Sequence, residues 1–178
     1  MTQLYMGGVN YETRTGAPWV STEIFTVGCE KSCPGCINNF FNEKNAKHRV
    51  FEAEELADIL IEQVPYRKLT ISGGEPFLQA EGLCELIYHL KRKSGDLDGG
   101  WKILCYSGYT FEELREKAVK DLFIHWLLLK IDILVDGPFV QELAYPKEEF
   151  TYVGSSNQRI IDPFRSVVED KVILYGVL

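Results

Sequence analysis

The chain is 178 residues long, 46% hydrophobic and 25% charged, with 19 Lys and Arg against 26 Asp and Glu for a net charge of −7. Such a length buries one sizeable core, so residues 1–178 read as a single domain, and the acidic balance argues against nucleic acid as a partner, which needs a basic patch. No apolar run approaches membrane-spanning length, and residues 1–10 lack the basic start and apolar core of a signal peptide, which predicts a cytoplasmic protein with no membrane partner.

Residues 1–17, rich in Gly, Asn and Thr between 5 and 14, read as an extended N-terminal arm. β-Branched and aromatic residues over 18–27 fit a pleated surface and predict the first strand, which Gly28 ends. Next comes Cys29-Glu30-Lys31-Ser32-Cys33-Pro34-Gly35-Cys36-Ile37-Asn38, three thiols at Cys-x3-Cys-x2-Cys spacing in a loop that Pro34 and Gly35 make tight. Thiolates are preferred ligands of zinc and of iron-sulfur clusters. Five cysteines in a reducing compartment point to that chemistry rather than to disulfides. Closed sites take four protein ligands, yet Cys84 and Cys105 lie far off in a predicted helix and strand, where they suit small core positions. A centre held by Cys29, Cys33 and Cys36 alone keeps one coordination position open to a substrate or cofactor. The rival readings are a zinc knuckle completed by His48 or a distant group, and a disulfide with a spare thiol.

A polar connector over 42–49 leads to 52–64, where Ala53, Leu56, Ala57, Leu60 and Val64 recur at helical spacing and Pro65 stops the helix. A short strand over 68–72 runs into Gly73-Gly74-Glu75-Pro76. A second helix over 78–93 aligns Leu83, Leu86, Ile87 and Leu90 and ends in Lys91-Arg92-Lys93, cations suited to the negative end of its dipole. A turn at 95–100 and a strand at 101–106 follow. Thr110-Phe111-Glu112-Glu113 has the form of a capping box opening a helix towards 120, which 121–129 continues for a turn or two. Residues 131–135 read as a buried parallel strand delivering Asp136, 138–152 as loop with room for a short helix, and 158–162 and 171–175 as the last strands. His89 and His125 fall in helical patterns, as surface or packing residues.

Strands alternating with helices imply βαβ units and a mainly parallel sheet. A closed eight-unit barrel takes about 250 residues, so this α/β chain is expected to form an open partial barrel of the (βα)6 type, with about five or six units. Chemistry in such folds collects at the carboxyl ends of the strands, and Cys29, Gly73, Ser107 and Asp136 each follow a successive predicted strand. Gly73 and Gly74 allow the backbone to approach a ligand closely. Taken singly, Gly-Gly is a turn, Glu75 a first-turn residue and Asp136-Gly137-Pro138 a turn; a shared place beside an incomplete thiolate site makes them candidates.

The cysteine motif resembles that of the radical S-adenosylmethionine superfamily, and Ser72-Gly73-Gly74-Glu75-Pro76 resembles its GGE segment. Three later stretches follow: Tyr106-Ser107-Gly108-Tyr109-Thr110, Val135-Asp136-Gly137-Pro138-Phe139, and Gly154-Ser155-Ser156-Asn157-Gln158-Arg159-Ile160-Ile161-Asp162. In that order the series is similar to the family of activating proteins of anaerobic (class III) ribonucleotide reductases, over most of the chain from residue 9 to 162. The resemblance implies a [4Fe-4S] cluster on Cys29, Cys33 and Cys36, whose open iron chelates S-adenosyl-L-methionine. It further implies that Gly73, Gly74 and Glu75 meet the cofactor amine, and that Gly35 and Ile37, beside Cys36, border its adenine; Ser107 and Asp136 are candidates for the ribose or methionyl end.

The same resemblance implies a reaction. A flavodoxin-type donor reduces the cluster, the sulfonium is cleaved to methionine and a 5′-deoxyadenosyl radical, and that radical takes hydrogen from a glycine of the reductase large subunit. The cofactor carries this chemistry, and no side-chain acid or base is assigned. An open lateral gap would admit the glycine loop, with 154–159 and the turn at 136–139 forming its edge or docking the partner. The alternatives are an activating enzyme of pyruvate formate-lyase or of another glycyl radical enzyme and, from another class, a non-enzymatic zinc or iron-sulfur interaction module.

Overall fold

A computed structural model describes residues 2–43, 46–64, 66–95, 100–146 and 151–176. The expected helix stop at Pro65, the middle of the 95–100 turn, positions 44–45 of the connector and positions 147–150 of the 138–152 loop lie outside these residues. The strands are β1 (Gln3–Thr13), β2 (Ser21–Thr26), β3 (Arg49–Glu52), β4 (Lys68–Gly73), β5 (Lys102–Tyr106), β6 (Ile133–Asp136) and β7 (Arg159–Ile161). The α-helices are α1 (Ala53–Gln63), α2 (Ala80–Lys93), α3 (Phe111–Ala118), α4 (Leu122–Lys130) and α5 (Pro163–Val168). No helix among the described residues is long and apolar enough to cross a membrane.

All seven strands join one mixed sheet in the order β3-β1-β2-β4-β5-β6-β7. Its centre, β2-β4-β5-β6, is parallel, with Ile24 beside Ile71, Ile71 beside Cys105 and Cys105 beside Leu134. The flanks are antiparallel: β1 on β2, β3 on β1 and β7 on β6. Four parallel strands are fewer than the five or six units expected, because the sheet is extended at both sides by antiparallel strands that need no crossover helix.

The main core lies between the sheet and the helix layer. Every apolar position aligned by helical spacing, from Ala53 to Leu60 in α1, Val64 just past its end, and from Leu83 to Leu90 in α2, is buried there, together with Cys84 and Cys105. Each fully buried Leu or Ile among them contributes about 1.5–3 kcal/mol. A smaller cluster of Ala17, Leu104, Ile133, Val135 and Val153 occupies the sheet's other face. There the Tyr106 hydroxyl donates to the carbonyls of Gly16 (3.1 Å) and Tyr152 (2.5 Å), so the chain entering β2 straps that face.

Several local expectations change. The N-terminal arm is extended, but it is a full strand, burying Leu4 and Met6 and leaving Gln3 and Tyr5 exposed. Register irregularities between Met6 and Gly8 and between Asn10 and Thr13 break the alternation that would have marked it. Edge strand β3 spans the junction between the expected connector and the expected first helix, where no strand was expected, and its Phe51 packs against the main core. Residues 121–129 form a separate helix because the Asp121 carboxylate accepts from Phe123 N at 2.9 Å and starts it afresh. The expected last strand at 171–175 is reduced to one bridge, Leu174 to Ile161. Before it runs α5, which the sequence reading missed although Asp162-Pro163 forms a cap followed by Pro at the first helical position.

The capping box of α3 is formed as expected, with Glu113 N donating to Thr110 Oγ1 at 3.2 Å and Thr110 N donating to Glu113 Oε2 at 2.8 Å. Thr110→Ala should lower stability by about 1 kcal/mol in urea denaturation.

Candidate metal centre

The loop after β2 closes on itself: Gly28 N donates to Phe41 O at 2.8 Å and Cys29 N to Asn42 O at 3.0 Å. Inside it, Cys36 N donates to Cys33 O at 3.2 Å and Asn39 N to Cys36 O at 3.3 Å, with Gly35 at φ +72°. The room that Gly35 leaves is taken by the Gln141 side chain, whose Oε1 would stand 2.7 Å from a Cβ there. Ile37 points outwards and is 86% exposed.

Cys29, Cys33 and Cys36 are all unpaired and half-buried in this one loop. Lys31 N donates to Cys29 Sγ at 3.4 Å. Burial pushes the Cys29 thiol up from its ordinary value, an effect that Glu75 and Cys33 add to, so forming the thiolate there calls for a positive partner such as iron. Cys84 and Cys105 are buried in the core, where Cys84 Sγ contacts Phe123 O and Cys105 Sγ contacts Tyr106 O. His48 sits edge-on to Tyr5 with Nδ1 against Ala46 O at 2.6 Å. Among the described residues, no three His, Cys, Asp or Glu side chains converge as a single metal ion would require. A cuboidal cluster spreads its ligands over separate irons, and an all-thiol donor set in one short loop suits it.

The strand ends beside the loop hold it from behind. Gly74 N donates to Thr26 O at 2.8 Å and Glu75 N to Gly28 O at 2.7 Å. A Cβ on Gly74 would collide with the Gly28 carbonyl, and one on Gly73, at φ +102°, with the backbone of Thr26. The glycine pair therefore lets β4 seat directly against the root of the cysteine loop. Asn38, which the sequence reading did not single out, adds a second tie by donating to Ser72 Oγ at 3.2 Å.

Glu75 is fully buried and accepts from Phe77 N (3.1 Å), Ser107 Oγ (3.0 Å) and Gly108 N (2.8 Å). Burial raises its carboxyl from the usual 4.5 to about 7, against these three bonds and the charge of Lys31. Ser107 Oγ also accepts from Tyr109 N at 3.0 Å, so the Ser107 hydroxyl joins the ends of β4 and β5. Asp136 is buried as well: its oxygens accept from Phe111 N (2.6 Å) and from Arg159 Nε (3.0 Å) and Nη2 (2.5 Å).

Arg159 closes a network that explains the stretch from Gly154 onwards. It pairs with Asp136 and, through Nη1 and Nη2, with Glu112. Gln158 accepts from the backbone of Gly154 and Ser155 and donates to Gly137 O at 3.0 Å, while Asn157 donates to Pro138 O at 2.8 Å. Side-chain amides thus staple residues 154–158 to the turn after β6, and Gln141 on that turn reaches the cysteine loop at Gly35. Arg159→Met strands the buried Asp136 carboxylate. It should cost about 2 kcal/mol, below the roughly 3–5 kcal/mol of a wholly buried pair, because a third of the Arg159 side chain remains in water; thermal unfolding reads it.

On the other flank Tyr109, Lys31 and Glu113 clamp the loop to α3. Lys31 Nζ lies 3.0 and 3.1 Å from the two Glu113 oxygens, and the Tyr109 hydroxyl donates to Glu30 Oε2 at 2.9 Å. A groove of about 610 Å³ lined by Glu30, Phe77, Tyr109, Lys117 and Ile124 runs outside this clamp. From the stretch Tyr106–Thr110 the sequence marks Ser107 as a site candidate and Thr110 as a helix cap, while the contacts of Tyr109 emerge only in the fold.

Comparison with known proteins places the chain in a family. Residues 16–161 match the family described as 4Fe-4S single cluster domain. The anaerobic ribonucleoside-triphosphate reductase-activating protein of Vibrio cholerae is 33% identical over 148 residues, 80% of this chain and 88% of that protein. The protein of the same name from Haemophilus influenzae is 32% identical over 142 residues, 77% of this chain and 84% of its own. Among solved structures, QueE from Escherichia coli superposes with a TM-score of 0.51 at 19% identity, covering 61% of this chain and 53% of QueE, a likeness of fold.

Proposed function

The chain belongs to the family of anaerobic ribonucleoside-triphosphate reductase-activating proteins with a 4Fe-4S single cluster domain, and from that membership we propose that it installs the glycyl radical of an anaerobic ribonucleotide reductase. The observation that carries the reading is one short loop holding three unpaired, half-buried thiols at Cys-x3-Cys-x2-Cys spacing. Cys29, Cys33 and Cys36 would hold a [4Fe-4S] cluster, and the coordination position they leave open would take S-adenosyl-L-methionine. When bound, these groups would supply one-electron reductive cleavage of the sulfonium and, through it, hydrogen abstraction from a glycine of the reductase large subunit.

The chain's own residues orient and enclose. Gly73 and Gly74 bring the β4 edge against the loop, where their backbone would meet the cofactor amine, and Ile37 and Gly35 would border the adenine. Glu75, Ser107 and Asp136 have their oxygens engaged by the protein, which supports a role in fixing the strand ends that face the cofactor. The sheet would be the wall of a partial barrel, open at one side so that a protein loop can enter beside residues 136–139 and 154–159. A flavodoxin-type protein would donate the electron, in the cytoplasm, where five unpaired cysteines are at home.

The test is anaerobic reconstitution with iron and sulfide, followed by reduction with S-adenosylmethionine in the presence and absence of the reductase. Formation of 5′-deoxyadenosine and a glycyl radical signal on the reductase is the expected result. A colourless protein that binds zinc and leaves the cofactor intact would overturn the reading.

A further inference from the structure

We propose that Lys31, held by Glu113 and Tyr109, acts through its charge to raise the reduction potential of the cluster on the cysteine loop. The inference rests on the reading of that loop as a cluster site and assigns a role to a residue between the ligands. Lys31 lies in the span between Cys29 and Cys33, and its own N–H donates to Cys29 Sγ. Reduction adds negative charge, so N–H donors and cations close to the sulfurs favour the reduced state.

A lysine in an exposed loop ordinarily extends into water. Here its side chain is 22% exposed and folded back. Its stem runs over Gly108, where a Cβ would stand 3.1 Å from Lys31 Cγ. Its ammonium contacts both Glu113 oxygens and lies 4.3 Å from the centre of the Tyr109 ring. Tyr109 is fixed in turn by its bond to Glu30 and by Lys117, 4.4 Å away. Glu113 is fixed by Thr110 N. Three residues of the segment 108–113 thus hold one charge in place.

An ion pair makes the idea separable from a purely mechanical role. Lys31→Met removes the cation and leaves Glu113, so the potential should become more negative. Glu113→Gln leaves the cation unopposed, so it should become more positive. Each shift should be roughly tenfold in the reduced-to-oxidised ratio at fixed ambient potential, about 59 mV for one electron. Lys31→Arg should stay at the wild-type value, and the double variant should fall between the two single ones.

The measurement is a mediator-coupled titration of the reconstituted full chain with dithionite, without reductase, reading the electron paramagnetic resonance signal of the reduced cluster. Opposite shifts support the proposal. Shifts of the same sign, as a loosened loop would give, or no shift in either variant, overturn it. If Lys31→Met fails to hold iron, Glu113→Gln decides: a rise supports the proposal and an unchanged value overturns it. Failure of the wild-type chain to take up any cluster would instead overturn the cluster reading beneath it.

Discussion

Replacing Cys29, Cys33 or Cys36 singly by alanine is expected to reduce iron after anaerobic reconstitution from about four atoms per chain to background, with loss of S-adenosylmethionine cleavage. The expectation follows from the donor count. The remaining cysteines, Cys84 and Cys105, are buried in the helix-side core and cannot substitute. The loop backbone is held by protein hydrogen bonds, Gly28 N on Phe41 O, Cys29 N on Asn42 O and Glu75 N on Gly28 O, so the variants should fold. Cys84→Ala and Cys105→Ala are the controls, expected to keep their iron and lose about 1–2 kcal/mol of packing. Iron retained at wild-type level by any of the three loop variants would show that the ligands lie elsewhere.

The second large effect is the pH dependence contributed by Glu75. Its carboxyl stands at about 7 in the folded chain against 4.5 as the ordinary value, raised by burial. A group whose folded pKa is raised binds more protons folded than unfolded between those two values, so stability falls as pH rises through that window. The span corresponds to about 3 kcal/mol, present below about pH 4.5 and lost by about pH 7. Glu75→Gln should flatten this slope, because a neutral amide has no charge to lose or desolvate, although its single oxygen can accept from only one of Phe77 N and Gly108 N, which bind different carboxylate oxygens. Urea denaturation of both proteins at a series of pH values reads the difference. Equal slopes would show that Glu75 does not titrate in that range.

The cysteine spacing, the two amphipathic helices and the capping box at Thr110 were legible because each is local. A helix repeats its face every few residues, and a ligand loop places its donors within one turn of chain. What stayed hidden depends on partners distant in sequence. Strand β1 read as an arm because its irregular register breaks alternation, and β3 went unread because four residues are too short to show a period and it is held by pairing with β1. The reason for the glycine pair was likewise invisible: the Gly28 carbonyl forbids a Cβ on Gly74, across 46 positions of sequence. Gln158, Asn157 and Arg159 read as a family stretch, whereas their chemistry is to staple two loops and neutralise Asp136.

The sequence by itself determined the candidate donor set, the alternation of strands and helices and the family to which they belong, since residue type and spacing are written along the chain. Only the tertiary structure decided how the centre is held. It seats β4 against the loop root, buries Glu75 between two strand ends, and folds Lys31 back onto Tyr109 and Glu113. These are pairings between segments that meet only when the sheet is assembled, and proximity across a sheet is set by strand order and register, which no local pattern encodes.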